Sequence, residues 1–251
     1  MIGFPNAKIN IGLNIIEKRQ DGFNNIESIF YPIMDLFDVL EIIKSNELKF
    51  TSSGIVIPGN EADNLCLKAY HLIKADFDVL PVHIHLHKVI PIGAGLGGGS
   101  ADAAFTLKLL NQIFALNITN DELINYARKL GSDCAFFIKN KPVYAFGKGD
   151  EFEEVVLDLS KYEIKVAYPN IHIGTAEAYA GVNPYPPKVN LKELIKLPIK
   201  DWKNNIKNDF EDSIFLNHSQ IKALKDKFYS DGAVYASMTG SGSAVFGIFN
   251  K

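Results

Sequence analysis

The chain has 251 residues, of which 47% are hydrophobic, with 26 Lys and Arg against 29 Asp and Glu. This length and apolar content are enough for one large domain or two modest ones. A net charge of -3 argues against a nucleic-acid partner, because such binders usually carry a basic excess. The chain does not begin with a basic segment followed by an apolar one, as a secretory leader would. It also contains no run of about 18 uncharged apolar residues, the length that a membrane-spanning helix needs. We therefore expect a cytoplasmic protein with no membrane partner.

The first predicted strand alternates strictly between apolar and polar residues. One face carries Ala7, Ile9, Ile11, Leu13 and Ile15, and the other carries Lys8, Asn10, Gly12 and Asn14. The polar side chains therefore point the same way. Such a row is usually a solvated face, and the alternative is a row directed at a ligand. Periodicity alone leaves both interpretations open.

Further strands are predicted at 26–34, 38–44, 47–57 and 82–87, with a helix that is capped by Asp63 and runs through Ile73. The two cysteines, Cys66 and Cys134, stand far apart among apolar residues and form no CxxC pair. We interpret them as buried free thiols rather than as a disulfide.

A glycine-rich run, PIGAGLGGGSAD, occupies residues 91–102, with five glycines in seven positions from Gly93 to Gly99. Glycine lets successive backbone N–H groups approach an anion closely. The residues that follow have helical periodicity, so the run leads into a helix N-terminus, where free N–H groups and the positive end of the dipole meet. The run is predicted to hold phosphate; a flexible linker or tight turn is the alternative.

Other phosphate loops fit less well. No Lys follows the glycines as in a Walker A motif, and the companion motifs of protein kinases are missing. A GxGxxG match exists at Gly93, Gly95 and Gly98, with Asp121 near the position of a ribose-binding acid. However, the segment 119–122 is typical of a capping box that opens another helix. A dinucleotide-binding oxidoreductase therefore remains only as an alternative.

Asp133 follows this second helix, predicted over 121–130, and precedes an apolar segment. An aspartate at such a place is often a helix N-cap or a turn residue. It could equally be a carboxylate that orients or deprotonates a substrate hydroxyl. Spacing does not separate the two.

The second half of the chain is predicted to form a separate domain, giving domains at 1–150 and 151–251. Strands are expected at Glu154–Leu159 and Ile164–Ala167, a helix near Thr175, and further helices around 191–197, 203–216 and 219–229. A last pair of strands flanks the run TGSGS at 239–243. This run is either a simple hairpin or a second source of N–H donors for a phosphate.

Three runs, PNAKIN at 5–10, PIGAGLGGGSADAA at 91–104 and TGSGSAVFG at 239–247, resemble the motifs of one superfamily. It is the galactokinase, homoserine kinase, mevalonate kinase and phosphomevalonate kinase superfamily. The resemblance implies an α+β, two-domain small-molecule kinase fold. Its N-terminal domain is like ribosomal protein S5 domain 2, its C-terminal domain is smaller and also α+β, and the active site lies in the cleft.

Site residues are carried over from the resemblance by position. Lys8 and Asp133 match the catalytic pair, Asn64 and Lys88 match positions near adenine, and Asn10 and Thr175 match substrate-side positions. The residues that match the binder of the ATP phosphates are Pro91, Ile92, Gly93, Ala94, Gly95, Leu96, Gly97, Gly98, Gly99, Ser100 and Ala101.

The segments at 21–23, 63–65 and 131–133 most resemble one branch of the superfamily, which serves isoprenoid synthesis without mevalonate. The implied reaction transfers the γ-phosphoryl of ATP, with Mg²⁺, to an alcohol of a methylerythritol that bears cytidine diphosphate. A small-molecule substrate and a monomer or homodimer are therefore expected. A kinase for mevalonate, phosphomevalonate or homoserine is the alternative within the superfamily.

One segment departs from that branch. Its members commonly read Asp-Gly-Tyr-His where this chain has Asp21-Gly22-Phe23-Asn24. Phe23 keeps a ring that can stack on cytosine, and Asn24 keeps backbone groups that can pair with the base. Both are predicted to bind substrate, with a plain core aromatic as the alternative for Phe23.

Overall fold

The computed structural model describes the whole chain, Met1 to Lys251, and divides it into two compact units. The first unit comprises Met1–Ala7, Pro32–Ile92 and Gly97–Lys141, and the second comprises Lys8–Tyr31, Gly93–Leu96 and Pro142–Lys251. The units are interleaved along the sequence, whereas the expected domains meet at a single cut near residue 150. That cut stays a prediction.

Two long strands come early in the chain, β1 being a short strand before them. The first strands are β1 (Ile2–Gly3), β2 (Asn6–Lys18), β3 (Asn24–Phe37), β4 (Val39–Lys44), β5 (Lys49–Gly54) and β6 (Val82–Lys88). A sheet of order β1-β4-β6-β5 belongs to the first unit. Only the β5 and β6 pair is parallel in this sheet. It therefore does not have the all-parallel pattern of a dinucleotide-binding sheet.

Four helices complete the first unit: α1 (Leu65–Asp76), α2 (Gly98–Ile113), α3 (Asn120–Leu130) and α4 (Phe136–Lys139). The buried face of α2 includes Ala103, Leu107 and Leu110, which are inaccessible to solvent. This helix begins inside the glycine run, as the periodicity predicts. Its first turn therefore occupies the position expected of a phosphate-binding helix.

The second unit contains the remaining strands and helices. The strands are β7 (Val143–Phe146), β8 (Glu151–Glu154), β9 (Tyr162–Ala167), β10 (Tyr235–Met238) and β11 (Val245–Asn250). The helices are α5 (Thr175–Ala180), α6 (Leu191–Leu194), α7 (Ile199–Asn205), α8 (Glu211–Asn217) and α9 (Ser219–Ser230). The sheets have the orders β2-β3-β7-β8 and β10-β11-β9. A core cluster that includes Leu13, Phe210 and Val245 packs α8 and α9 on these strands.

Several boundaries confirm the sequence-based expectations. Thr119 and Glu122 form the capping box at the start of α3, so Asp121 lies in the first turn of a helix rather than at a strand end. This removes the ribose-binding acid that the dinucleotide alternative requires. Cys66 and Cys134 are buried free thiols, as predicted.

Other boundaries were predicted wrongly. The strand expected at Glu154–Leu159 is β8, which ends at Glu154, and the helix expected at 203–216 is interrupted. Between α7 and α8 the backbone pairs with β2 instead: Leu13 N donates to Lys207 O, and Asp209 N donates to Leu13 O. These long-range hydrogen bonds override the local helical pattern. None of the helices combines the length and apolar character that a membrane span requires.

Candidate active site

Lys8 and Asn10 lie two residues apart on β2 and are both buried, with 3% and 2% of their surfaces exposed. The Lys8 ammonium donates to Asn10 Oδ1 at 2.6 Å and to the Gly95 carbonyl at 2.9 Å. It also lies 5.0 Å from the centre of the Phe30 ring. The solvated-face interpretation is therefore wrong for these two residues.

Two residues complete the surroundings of Asn10: Ser28, which the sequence does not single out, and Thr239, the first residue of the run TGSGS. The backbone N–H of Asn10 donates to Thr239 Oγ1 at 3.0 Å, and its side-chain amide donates to Ser28 Oγ at 2.9 Å. The Thr239 hydroxyl also lies 3.0 Å from the Gly95 carbonyl. Lys8, Asn10, Gly95 and Thr239 thus form one hydrogen-bonded group, which we call the lysine network.

The glycine run has a left-handed backbone at alternate positions. Gly93, Gly95 and Gly97 have φ values of 68°, 79° and 72°. Alternation of this kind turns successive N–H groups towards one side and makes an anion-binding concavity. A Cβ on Gly95 would lie 2.0 Å from the Thr239 carbonyl oxygen, so only glycine fits there.

The start of α2 offers backbone donors. The first hydrogen bond of the helix is donated by Ala101 N to Gly97 O. The N–H groups before Ala101 have no acceptor within the helix. Gly99 is exposed, and the nearest atom to a Cβ there would be Leu65 Cδ1 at 3.8 Å. The backbone of Gly99 is therefore open to a ligand, and the helix dipole favours an anion there.

The run at 239–243 is the turn of an antiparallel hairpin in which Met238 pairs with Val245. This confirms the hairpin interpretation. The hairpin also meets the glycine run, because Ala244 N donates to Ala94 O at 3.1 Å. It thereby supports the run from the side that carries Thr239.

Lys88 is buried between two carboxylates in the first unit. Its ammonium donates to Asp102 Oδ2 at 2.9 Å and makes a short ion pair with Asp38 Oδ2. The nitrogen lies 2.8 Å from the position of a Cβ on Gly98. This geometry favours a supporting role for Lys88 beneath α2; its contact with adenine stays a prediction.

Asn64 is the N-cap of α1, whereas the sequence predicts Asp63 in that position. Its Oδ1 accepts a hydrogen bond from Cys66 N at 2.9 Å. Asp63 instead ends a single 3₁₀ turn formed by Glu61–Asp63. The cap places Asn64 close to the start of α2, since its neighbour Leu65 is the residue that approaches Gly99.

Asp133 lies in the turn that leads from α3 to α4. It is half-buried, and Ser132 Oγ donates to its Oδ1 at 3.4 Å. The N-cap of α4 is Ala135, so the N-cap interpretation of Asp133 is wrong. The next residue, Cys134, is buried, and burial raises its pKa to about 11, while an interaction with Ser100 in the first turn of α2 acts in the opposite direction. Asp133 therefore belongs to a turn that is attached to the start of α2.

The predicted substrate-side residues of the second unit lie in two places. Phe23 and Asn24 adjoin each other at the β2–β3 hairpin, where the Phe23 ring is 59% exposed and lies 5.1 Å from the Lys148 ammonium. Thr175 is exposed and is the first residue of α5, after the N-cap Gly174. The exposed ring is incompatible with Phe23 as a plain core aromatic.

The chain matches the GHMP kinases N terminal domain over residues 64–141 and the GHMP kinases C terminal domain over residues 190–251. It is similar to a 4-diphosphocytidyl-2-C-methyl-D-erythritol kinase of Cytophaga hutchinsonii, with 54% identity over 100% of this chain and 93% of the relative. A relative of that name from Parabacteroides distasonis is 51% identical over 100% of this chain and 92% of its own.

Solved structures agree. A crystal structure of 4-(cytidine 5'-diphospho)-2C-methyl-D-erythritol kinase superposes with a TM-score of 0.85 at 28% identity, over 99% of this chain and 90% of that one. A homoserine kinase from Cytophaga hutchinsonii shares the fold, with a TM-score of 0.65 at 14% identity over 98% and 85%.

The chain therefore belongs to the GHMP kinase family and, within it, to the family of 4-diphosphocytidyl-2-C-methyl-D-erythritol kinases. The α+β kinase fold expected from the motifs is confirmed. Membership implies ATP as the phosphate donor and a small-molecule acceptor. The dinucleotide-binding alternative is not favoured.

Proposed function

We propose that this chain transfers the γ-phosphoryl group of ATP to a hydroxyl of 4-diphosphocytidyl-2-C-methyl-D-erythritol, in isoprenoid precursor synthesis without mevalonate. The observation that carries the proposal is the lysine network. It fixes a buried ammonium on the carbonyl of Gly95, inside the glycine run. The names of the full-length relatives give the acceptor.

In this proposal the N–H groups of residues 91–101 bind the ATP phosphates, helped by the dipole of α2. No group of three or more His, Cys, Asp or Glu side chains is arranged to hold a metal. This suits Mg²⁺ that arrives as part of the nucleotide substrate, since Mg²⁺ is commonly held by substrate phosphates and water. Bound there, it neutralises phosphate charge.

The transfer breaks the bond between the γ-phosphorus and the bridging oxygen of ADP and forms a bond to the acceptor oxygen. The acceptor's proton passes to the Asp133 carboxylate, which is exposed enough to meet a substrate. Lys8 stabilises the charge on the reacting oxygens as a compact cation held in place by Asn10. Positioning and electrostatics of this kind supply most of the catalysis in phosphoryl transfer.

The remaining candidate residues are assigned to the acceptor, including its cytosine, and to the adenine of ATP. Phe23 stacks on cytosine through its exposed ring, and Asn24 pairs with the base edge. Asn10 and Thr175 line the acceptor, and Asn64 and Lys88 lie towards adenine. We further propose a cytoplasmic monomer or homodimer with domains 1–150 and 151–251.

The test measures ADP release with the cytidine-diphosphate acceptor for the wild type, Lys8→Met and Asp133→Asn. Each substitution is expected to lower kcat by about 10²-fold or more, because it removes a proton acceptor or a charge-stabilising group. The matched control is Lys18→Met, at the exposed end of the same strand, which should keep wild-type turnover. Near-wild-type turnover of both folded active-site variants would contradict the assignment.

A further inference from the structure

Three charged side chains are buried together beneath the first turns of α2. They are Asp38, Lys88 and Asp102, none with more than 4% of its side chain exposed. Two carboxylates surround one ammonium, so the group carries one excess negative charge when all three are ionised. Excess charge in a buried site is costly, so the least well-held carboxylate should be the one that gains a proton.

The two carboxylates are not held alike. Asp38 uses both oxygens, because Oδ2 accepts from Lys88 and Oδ1 accepts from the backbone N–H groups of Val89 and Ile90 at 2.6 and 2.8 Å. Asp102 accepts a hydrogen bond from Lys88 at Oδ2, and its carboxyl group also interacts with that of Asp38, which disfavours its charged form. Its Oδ1 is buried and has no hydrogen-bond partner. The excess charge therefore concentrates on Asp102.

Asp102 lies close to the donors expected to receive phosphate. It is the fifth residue of α2, and its partner Lys88 nearly touches Gly98, the first residue of that helix. A negative charge there opposes the positive potential of the helix N-terminus. Phosphates bound at the same N-terminus would raise the cost of ionising Asp102.

We propose that Asp102 is a positioning residue that tunes nucleotide affinity: protonated, it leaves the start of α2 free to bind phosphates, and ionised, it weakens that binding. The inference rests on the proposed function, in that ATP is the ligand of the glycine run. Binding of nucleotide then transfers one proton from solvent to the Asp102 carboxylate, and no other bond forms or breaks.

The ionisation of Asp102 responds to three groups packed around it: Lys88 on β6, Asp38 before β4 and the Cys66 thiol on α1. Burial raises the pKa of Asp102 to about 7, although Lys88 acts in the opposite direction. Burial also raises the pKa of Cys66, so this thiol stays neutral and does not compete for the role. The change of charge at Asp102 is therefore expected near neutral pH.

The test is calorimetric titration with magnesium ATPγS, without acceptor, from about pH 6 to about pH 8. The terminal thiophosphate is ionised across this range, so the ligand adds little pH dependence. Asp102→Asn keeps an oxygen for Lys88 but carries no charge. We expect it to bind nucleotide about 10-fold tighter than the wild type at the upper pH and equally at the lower one.

Lys225→Met is the matched control, because it breaks a partly buried ion pair with Glu211 far from the glycine run in sequence. It should follow the wild-type pH profile. Parallel profiles for the wild type and Asp102→Asn would overturn the inference and leave the proposed function standing. Loss of nucleotide binding by the wild type at every pH would overturn both.

If Asp102→Asn fails to fold, a measurement on the wild type alone tests the inference. Titrations in two buffers of different ionisation enthalpy measure the protons taken up on binding. Uptake that peaks near neutral pH supports the inference, and no uptake at any pH overturns it.

Discussion

Two roles are assigned to Asn64 at the start of α1, and two substitutions separate them. Its side-chain oxygen caps the helix, while the resemblance places the residue near adenine. Asn64→Ala should lower the free energy of unfolding by about 1 kcal/mol, because the cap is lost. Asn64→Asp keeps a capping oxygen and should leave stability nearly unchanged.

Nucleotide affinity tests the second role of Asn64, which is contact with adenine. If the Asn64 amide contacts adenine, Asn64→Asp should weaken ATP binding as much as Asn64→Ala does, since both lose the side-chain N–H donors. Urea unfolding and a nucleotide titration of the same two proteins measure both quantities. An Asn64→Asp variant that binds ATP like the wild type would leave Asn64 with capping alone.

The candidate residues show what a sequence can predict at this scale. The alternation of apolar and polar residues predicts that Lys8 and Asn10 share one side of a strand. It does not predict that they are buried. The partners that bury Asn10 are Ser28 and Thr239, and Thr239 is 229 residues away. Local periodicity contains no information on such a partner. The run that begins with Thr239 is the available sequence signal, because such a run is either a hairpin or a second source of N–H donors for a phosphate.

At the scale of elements, the glycine run combines glycines that the fold requires with others that only a ligand would require. Gly95→Ala places a Cβ 2.0 Å from the Thr239 carbonyl at a φ of 79° and should destabilise the protein by at least about 2 kcal/mol. Gly99→Ala meets no atom closer than 3.8 Å and lies in a helix. It should leave the free energy of unfolding unchanged or raise it by up to about 1 kcal/mol.

Nucleotide affinity should respond in the opposite way at Gly99. Its Cβ would project into the open space at the start of α2, so Gly99→Ala should bind ATP at least about 10-fold more weakly despite its stability. Denaturant unfolding of the apo protein and nucleotide titration check the two parts. Wild-type affinity in a stable Gly99→Ala protein would contradict phosphate binding at this turn.

Elements with a strong local signal were predictable, and those set by distant pairing were not. The capping box at Thr119 and Glu122 depends on residues three apart, so the sequence shows it directly. The break between α7 and α8 depends on two hydrogen bonds, one donated by Leu13 N to Lys207 O and one donated by Asp209 N to Leu13 O. The local pattern within 203–216 contains no information on Leu13, so it predicts a continuous helix.

For the whole molecule, the fold alone does not choose the acceptor. The chain shares its fold with homoserine kinase and with mevalonate kinase, at TM-scores of 0.65 and 0.60 and identities below 20%. A shared scaffold supports different chemistry through local residues. The choice of acceptor therefore depends on the substrate-side residues, of which Phe23 and Asn24 depart from the branch's common pattern.

The most direct test of the central claim is a competition among acceptors. The purified protein receives limiting ATP and equal amounts of 4-diphosphocytidyl-2-C-methyl-D-erythritol, mevalonate, phosphomevalonate and homoserine, with Lys8→Met in parallel. Mass spectrometry then identifies which alcohol has gained a phosphoryl group. We predict that the cytidine-diphosphate substrate alone is phosphorylated, and far more slowly by Lys8→Met. Phosphorylation of another alcohol in its place, or of none while ATP binds, would contradict the account.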